Sequence, residues 1–134
     1  MNNISYLTRK ITVCIAHQLY DENISHEENL EIYQKCTNIH GHNLVVYITV
    51  KDKIDPKTGM VMNFKELKSI VNRNIHDKVD HKFLNDDIEE FKNIMPTVEN
   101  IAVIFWKWLK KDLDNLYEVK IQETDNNQTI YRGE

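Results

Sequence analysis

Residues 40–51 read His-Gly-His-Asn-Leu-Val-Val-Tyr-Ile-Thr-Val-Lys, and their alternation predicts a β-strand. On a strand, side chains two positions apart point to the same face. One face of this segment begins with two histidines and continues with four apolar residues: His40, His42, Leu44, Val46, Ile48 and Val50. The segment is therefore expected to be half-buried, with two histidines at one end of its buried face.

A second alternating segment, residues 4–17, predicts a partner strand. Its buried face is expected to hold Leu7, Ile11, Val13, Ile15 and His17. Its other face holds Tyr6, Thr8, Lys10 and Thr12. The polar and acidic residues 18–35 between the two strands indicate a long excursion with a short helix at 26–33.

Two longer helices and two further strands complete the prediction. Asn63 is expected to cap the first helix with Glu66 as its partner, and Thr97 to cap the second. Their apolar stripes are Phe64, Leu67, Val71 and Ile75, and then Val98, Ile101, Phe105 and Leu109. Residues 117–124 and 127–132 form strands joined by a turn at 125–127. The predicted class is α+β: a four-stranded antiparallel sheet with two helices on one face, in the order ββααββ.

The length of 134 residues predicts one domain, residues 1–134. A net charge of −4 gives no long-range attraction for nucleic acid. There is no apolar run of membrane-spanning length, and the first residues do not resemble a signal peptide, so we expect a cytoplasmic protein without a membrane partner.

His17, His40 and His42 are candidate metal ligands, because they lie on the apolar faces of the two predicted strands. If the strands pair, the three imidazoles can converge and leave the fourth position of a tetrahedral zinc open for water or substrate. A single histidine on such a face is usually a hydrogen-bonded core residue, but three histidines at the ends of such faces favour a metal-binding site over a purely structural role. His26 and His76 are expected to have structural roles only.

Four other residues are candidates for catalysis or substrate binding: Cys36, Asp80, His81 and Glu123. Cys36 lies in a polar stretch near the histidines and is either a low-pKa thiol base or an idle loop cysteine, whereas Cys14 is expected to be buried among apolar residues. Asp80 and His81 either relay protons or merely end a helix, and their spacing alone favours the second alternative.

Glu123 ends a predicted apolar row of Tyr117, Val119 and Ile121, where a carboxylate is costly without a partner. An aminopyrimidinone ring offers two adjacent N–H donors that match its two oxygens. The alternative is a strand-end glutamate that reaches solvent.

Together, these segments resemble the 6-pyruvoyltetrahydropterin synthase family over nearly the whole chain. The matching segments, in family order, are Ala16-His17, residues 36–43, residues 54–63, residues 80–85, residues 96–100 and residues 123–127. The resemblance implies a tunnelling fold, in which three sheets join edge to edge into a barrel and two trimers stack into a homo-hexamer with sites between subunits.

The resemblance also implies roles for individual residues. His17, His40 and His42 match zinc ligands, and Cys36 matches the catalytic cysteine. Asp80 and His81 match its proton-transfer partners, Glu123 matches the pterin anchor, and Thr97 lies in a pterin-contact segment. The implied substrate is 7,8-dihydroneopterin triphosphate, from which triphosphate is eliminated without an external redox cofactor.

Two sets of sequence features indicate different reaction products. Three residues separate Cys36 from His40, whereas the animal pyruvoyl-forming enzymes have five; the shorter spacing resembles the bacterial 6-carboxytetrahydropterin synthases of queuosine synthesis. The excursion at 18–35, the segment 54–63 and the ending 131–134 resemble the pyruvoyl-forming group, which we favour. A non-catalytic zinc- or pterin-binding domain is the third alternative, although such a domain needs no thiol base.

Overall fold

The computed structural model describes residues 2–134, and its central feature is a five-stranded mixed sheet. The elements in chain order are β1 (Ile4–His17), α1 (His26–Tyr33), β2 (His40–Lys53), α2 (Phe64–Val71), α3 (Asp77–Val79), β3 (Lys82–Phe83), α4 (Leu84–Asp87), α5 (Val98–Lys110), β4 (Leu116–Thr124) and β5 (Asn127–Tyr131). A π-helical segment, Asn72–His76, joins α2 to α3. The predicted domain 1–134 includes Met1, which lies outside the described residues.

Strands β1 and β2 pair antiparallel along their whole length, from Ile4 opposite Lys53 to His17 opposite His40. The predicted alternation is confirmed in both, with Val13, Ile15, Leu44, Val46 and Ile48 buried on one face. Because β1 ends where β2 begins, this register brings their terminal histidines side by side.

The α+β class is confirmed, but the prediction of four antiparallel strands is wrong. The strand order is β3-β1-β2-β4-β5, and β3 runs parallel to β1 through the pairs Ile15 with Lys82 and Ala16 with Phe83. A two-residue strand is too short to show any alternation, so the sequence pattern could not reveal it. The short helix expected at 26–33 is present as α1, and α3 and α4 are additional short helical turns.

The predicted position of Tyr117 beside Val119 and Ile121 is also wrong. The pairing of β2 with β4 shifts between Thr49 and Val50, which face Glu118 and Leu116 and leave Tyr117 as an extra residue. Such a bulge turns a side chain to the other face. The Tyr117 ring therefore packs edge-on against that of Tyr6, with 5.1 Å between ring centroids, on the exposed face of the sheet.

Both longer helices begin at their predicted caps. The Asn63 side chain accepts a hydrogen bond from the Lys65 N–H, and α2 buries Leu67, Ile70 and Val71 against the sheet. Phe64, however, is 64% exposed, contrary to its predicted place in the stripe. Helical side chains lean towards the N terminus, so a ring on the first residue projects past the helix end.

In α5, Thr97 caps the helix, and Ile101, Phe105 and Leu109 are fully buried as predicted. Within residues 2–134, no helix combines the length and the apolar character that a membrane crossing requires.

Candidate metal and catalytic site

The three predicted histidines come together at the adjoining ends of β1 and β2. The ring centroids of His17, His40 and His42 are 4.4 to 5.1 Å apart. One potential ligand atom from each ring lies within 4.8 Å of the others, so the group could hold a metal ion.

Hydrogen bonds fix which nitrogen of two rings is free. The Nδ1–H of His17 donates to the Pro96 carbonyl oxygen at 2.8 Å, and that of His40 donates to the Asn38 carbonyl oxygen at 2.7 Å. A metal-binding histidine is typically oriented in this way through its other nitrogen. The Nε2 atoms of His17 and His42 are buried and lack any hydrogen-bond partner within residues 2–134. Unpartnered buried nitrogens in a three-imidazole set fit a divalent metal.

The environment of His17 favours its neutral form. Only 1% of this residue is exposed, and burial lowers the pKa of the imidazole; the neighbouring His40 and His42 lower it further. The hydrogen bond to Pro96 and the nearby Glu123 carboxylate act in the opposite direction without reversing the shift. A neutral imidazole is the form that binds metal.

The N-terminal turn of α5 fixes the backbone on both sides of Pro96, the residue whose carbonyl orients His17. The Met95 carbonyl accepts hydrogen bonds from the Asn100 side-chain amide at 2.9 Å and from the Thr97 N–H at 2.8 Å. The Thr97 hydroxyl oxygen accepts from the Asn100 N–H at 3.2 Å, which leaves the hydroxyl proton free to donate. Thr97 is thus a helix cap that can still contact a substrate. Asn100 is a supporting residue to which the sequence patterns assigned no role.

Cys36 is half-buried and lies in the 3-10 turn Gln34–Thr37, just before β2. Its carbonyl oxygen accepts a hydrogen bond from the Leu19 N–H at 2.9 Å, which ties it to the chain two residues beyond His17. The predicted burial of Cys14 is wrong: this thiol is exposed, because Cys14 occupies the opposite strand face from Val13 and Ile15.

Asp80 and His81 form a hydrogen-bonded pair at the edge of β1. The Nδ1–H of His81 donates to one Asp80 oxygen at 2.8 Å, and the Cys14 N–H donates to the other at 2.8 Å. The His81 N–H in turn donates to the Cys14 carbonyl at 2.6 Å. These contacts hold His81 at a positive φ of 61°. The hydrogen bond from Cys14 and then that from His81 lower the pKa of Asp80.

His76 joins this pair, which the sequence patterns did not indicate. Its Nε2 lies 3.6 Å from the Asp80 oxygen that binds His81. Asp80 and His81 are hydrogen-bonded to Cys14, which precedes His17 by three residues. In an extended strand, this separation places the backbone of Cys14 about 10 Å from that of His17. Within residues 2–134, no hydrogen bond links the Cys36 thiol to Asp80 or His81, so the chain by itself does not unite the predicted catalytic residues.

Glu123 lies at an irregularity of β4, where the pairing with β5 shifts between Gln122 and Thr124. Its side chain is half-buried and close enough to His17 to raise the pKa of that imidazole. The carboxylate forms no hydrogen bond or ion pair within residues 2–134.

A cleft of about 1040 Å³ borders the site without containing the predicted residues. Its walls include Gln18, Ile39, Asn85 and Pro96. Three of these are sequence neighbours of His17, His40 and Thr97, so the cleft adjoins the histidine cluster.

An α+β sheet domain with three convergent histidines at its strand ends and a separate Asp–His pair defines a candidate metal-dependent enzyme. Residues 6–134 match the family model described as 6-pyruvoyl tetrahydropterin synthase. The chain belongs to this family, as its sequence motifs predicted.

Individual relatives agree with the family match. The chain is 45% identical over 135 residues to the 6-pyruvoyl tetrahydrobiopterin synthase of Dictyostelium discoideum, which covers 100% of both chains. It is 45% identical over 132 residues to that of Homo sapiens, covering 96% of this chain and 91% of the relative. The structure of the Caenorhabditis elegans 6-pyruvoyl tetrahydropterin synthase superposes with a TM-score of 0.94 at 36% identity, covering 99% and 98%. All three are named as synthases, so the chain is a member of an enzyme family.

Proposed function

We propose that this protein is a zinc-dependent 6-pyruvoyltetrahydropterin synthase, a carbon–oxygen lyase acting on phosphates. It converts 7,8-dihydroneopterin triphosphate into 6-pyruvoyl-tetrahydropterin and free triphosphate. The observation that carries the proposal is the histidine cluster, with two buried Nε2 atoms that have no hydrogen-bond partner among residues 2–134. Relatives that carry the synthase name at 45% identity support the same reaction.

His17, His40 and His42 would hold the zinc ion through three neutral imidazoles. When bound, zinc supplies a Lewis acid that stabilises negative charge developing on the oxygens of the substrate side chain. The carbonyls of Pro96 and Asn38 keep two of the rings in the ligating tautomer, so little reorganisation is needed.

Proton transfer is assigned to Cys36 and His81. The Cys36 thiolate removes a proton from a substrate carbon next to a hydroxyl-bearing carbon. His81 has a largely exposed ring whose Nδ1–H is held by Asp80, so its Nε2 can accept a proton or return one. The triphosphate leaves with the electron pair of the broken carbon–oxygen bond, and the ring is reduced internally.

Glu123 is proposed to anchor the pterin ring. Its carboxylate has no partner within the described chain, is half-buried and lies near the histidine cluster, so a ligand with two adjacent N–H donors would satisfy both oxygens. The Thr97 hydroxyl proton offers a further contact.

A homo-hexamer built as a dimer of trimers would complete the site. Strand β3 pairs with Ile15 and Ala16 of β1, so within the described residues 2–134 the rest of that edge of β1 has no strand partner. The outer edge of β5, at the other side of the sheet, is likewise unpaired there. Free edges favour pairing with another sheet. Edge-to-edge assembly would let the Asp80–His81 pair of one subunit meet Cys36 of another. The catalytic thiol must stay reduced, which agrees with a cytoplasmic location.

The carboxypterin-forming reaction is the second candidate, favoured by the three-residue spacing between Cys36 and His40. It uses the same substrate and zinc but releases a two-carbon fragment. The names of the 45%-identical relatives favour the pyruvoyl product.

Two cysteine variants test whether the site is catalytic. Cys36→Ala should retain zinc but lose release of triphosphate from 7,8-dihydroneopterin triphosphate, whereas Cys14→Ala, which removes the exposed thiol, should retain both. Unchanged turnover in Cys36→Ala would refute the catalytic role of Cys36, whereas zinc or pterin binding without any turnover in the unsubstituted protein would favour the non-catalytic alternative.

A further inference from the structure

Asn85, in the short helix α4, makes a two-point contact with the residue that follows His17. Its Oδ1 accepts a hydrogen bond from the Gln18 N–H at 2.9 Å, and its Nδ2 donates to the Gln18 carbonyl at 2.8 Å. Because β1 ends at His17, the backbone groups of Gln18 have left the strand ladder. Asn85 therefore takes the place of a missing strand partner.

The same short segment also supports Cys36. The Gln18 side-chain amide donates to the Thr37 carbonyl at 2.8 Å, and the Leu19 N–H donates to the Cys36 carbonyl at 2.9 Å. A continuous set of hydrogen bonds thus runs from Asn85 through Gln18 and Leu19 to the turn that carries the thiol.

We infer that Asn85 is a positioning residue that fixes the metal ligand His17 and the thiol of Cys36 relative to each other. It acts through the backbone of Gln18, and the inference rests on the proposed zinc site. Without its side chain, the backbone N–H and carbonyl of Gln18 would lose both of these hydrogen bonds, and the end of β1 would be less firmly held. Displacements of the order of 1 Å at a ligand or a base are enough to weaken metal binding and catalysis.

Asn29 provides a matched control. It clamps Asp21 in the same manner: its Oδ1 accepts from the Asp21 N–H at 2.7 Å, and its Nδ2 donates to the Asp21 carbonyl at 2.8 Å. Asn29 is fully buried, and its amide also donates to the Ser25 carbonyl. Its contacts, however, lie in the loop before α1 and reach neither His17 nor Cys36. Loss of Asn29 should cost stability without disturbing the site.

The experiment compares Asn85→Ala with Asn29→Ala in zinc affinity, measured by competition with a chromophoric chelator. Asn85→Ala should raise the Kd for zinc about 10-fold, as loss of a residue that orients a ligand does, while Asn29→Ala should stay within about twofold of the unsubstituted protein. In a Cys14→Ala background, the alkylation rate of Cys36 should rise only when Asn85 is replaced.

Equal zinc affinity in Asn85→Ala and the unsubstituted protein, or an equal loss in Asn29→Ala, would overturn the inference and leave the zinc site intact. Absence of zinc binding in the unsubstituted protein would overturn both. If Asn85→Ala does not fold, Asn85→Asp replaces it in the same comparison, since it preserves the size of the side chain but loses the donor to the Gln18 carbonyl.

Discussion

The imidazole of His17 and the backbone carbonyl of Pro96 are joined by a hydrogen bond of 2.8 Å, although they are 79 residues apart in the chain. A carbonyl oxygen can only accept, so the proton of the neutral ring must lie on Nδ1. The lone pair is then on Nε2, which is buried beside His40 and His42. The turn before α5 thereby sets the tautomer of a ligand at the end of β1.

The first prediction concerns the metal. The purified protein should contain about one zinc per chain, and His42→Ala should abolish it, because two imidazoles hold zinc far less tightly than three. His26→Ala is the control, since the His26 ring is hydrogen-bonded to Tyr20 at the surface and is not one of the three clustered histidines. Elemental analysis after dialysis measures the content; stoichiometric zinc in His42→Ala would show that the ligand set is wrong.

The second prediction concerns Glu123. Glu123→Gln replaces one acceptor oxygen with a donor amide and removes the charge, so it should weaken the binding of neopterin about 10- to 100-fold, the effect of losing hydrogen bonds to a charged group. Zinc content should not change. Glu31→Gln, at an exposed position of α1, is the matched control. Fluorescence titration measures the affinity, and equal affinities for the two variants would remove Glu123 from the binding site.

The third prediction concerns acid stability. The hydrogen bonds from Cys14 and His81 lower the pKa of Asp80 in the folded protein. Their stabilising contribution is complete above the pKa of the unfolded chain, near 4, and is lost as the pH falls through the lower folded pKa. The free energy of unfolding should therefore drop more steeply on acidification below about pH 4 in the unsubstituted protein than in Asp80→Asn.

Urea unfolding between pH 7 and pH 3 measures this difference. Parallel stability curves for the two proteins would mean that Asp80 gains nothing from its partners in the folded state.

The fourth prediction concerns α2. Leu67 is fully buried whereas Phe64 is 64% exposed, although both belong to one apolar stripe in the sequence. Leu67→Ala should lower the free energy of unfolding by about 2–5 kcal/mol, the range for a truncated core side chain. Phe64→Ala should change it by no more than about 0.5 kcal/mol. Guanidinium unfolding distinguishes them, and a cost for Phe64 as large as that for Leu67 would contradict the packing described.

The parts of the fold that follow a regular period could be predicted from the sequence. Alternation located β1 and β2, and caps at Asn63 and Thr97 located the longer helices. The two-residue strand β3 and the bulge at Tyr117 could not be predicted, because each depends on pairing between distant segments rather than on local pattern. The exposure of Cys14 follows from strict alternation, but its apolar neighbours obscured it.

The candidate site likewise has features that the sequence predicts and features that it does not. The convergence of His17 with His40 and His42 follows from two buried strand faces and one antiparallel register. The contact of His76 with Asp80 has the i, i+4 spacing of a helical turn and was missed because no helix was predicted to reach Asp80. The clamp of Asn85 on Gln18, in contrast, joins residues 67 positions apart, and only the folded chain reveals it.

The most direct test of the proposed function is to incubate the zinc-loaded protein with 7,8-dihydroneopterin triphosphate and to identify the products by mass. The proposal predicts 6-pyruvoyl-tetrahydropterin and free triphosphate. A 6-carboxy-tetrahydropterin with acetaldehyde would contradict it and make the short spacing between Cys36 and His40 the better guide to the reaction.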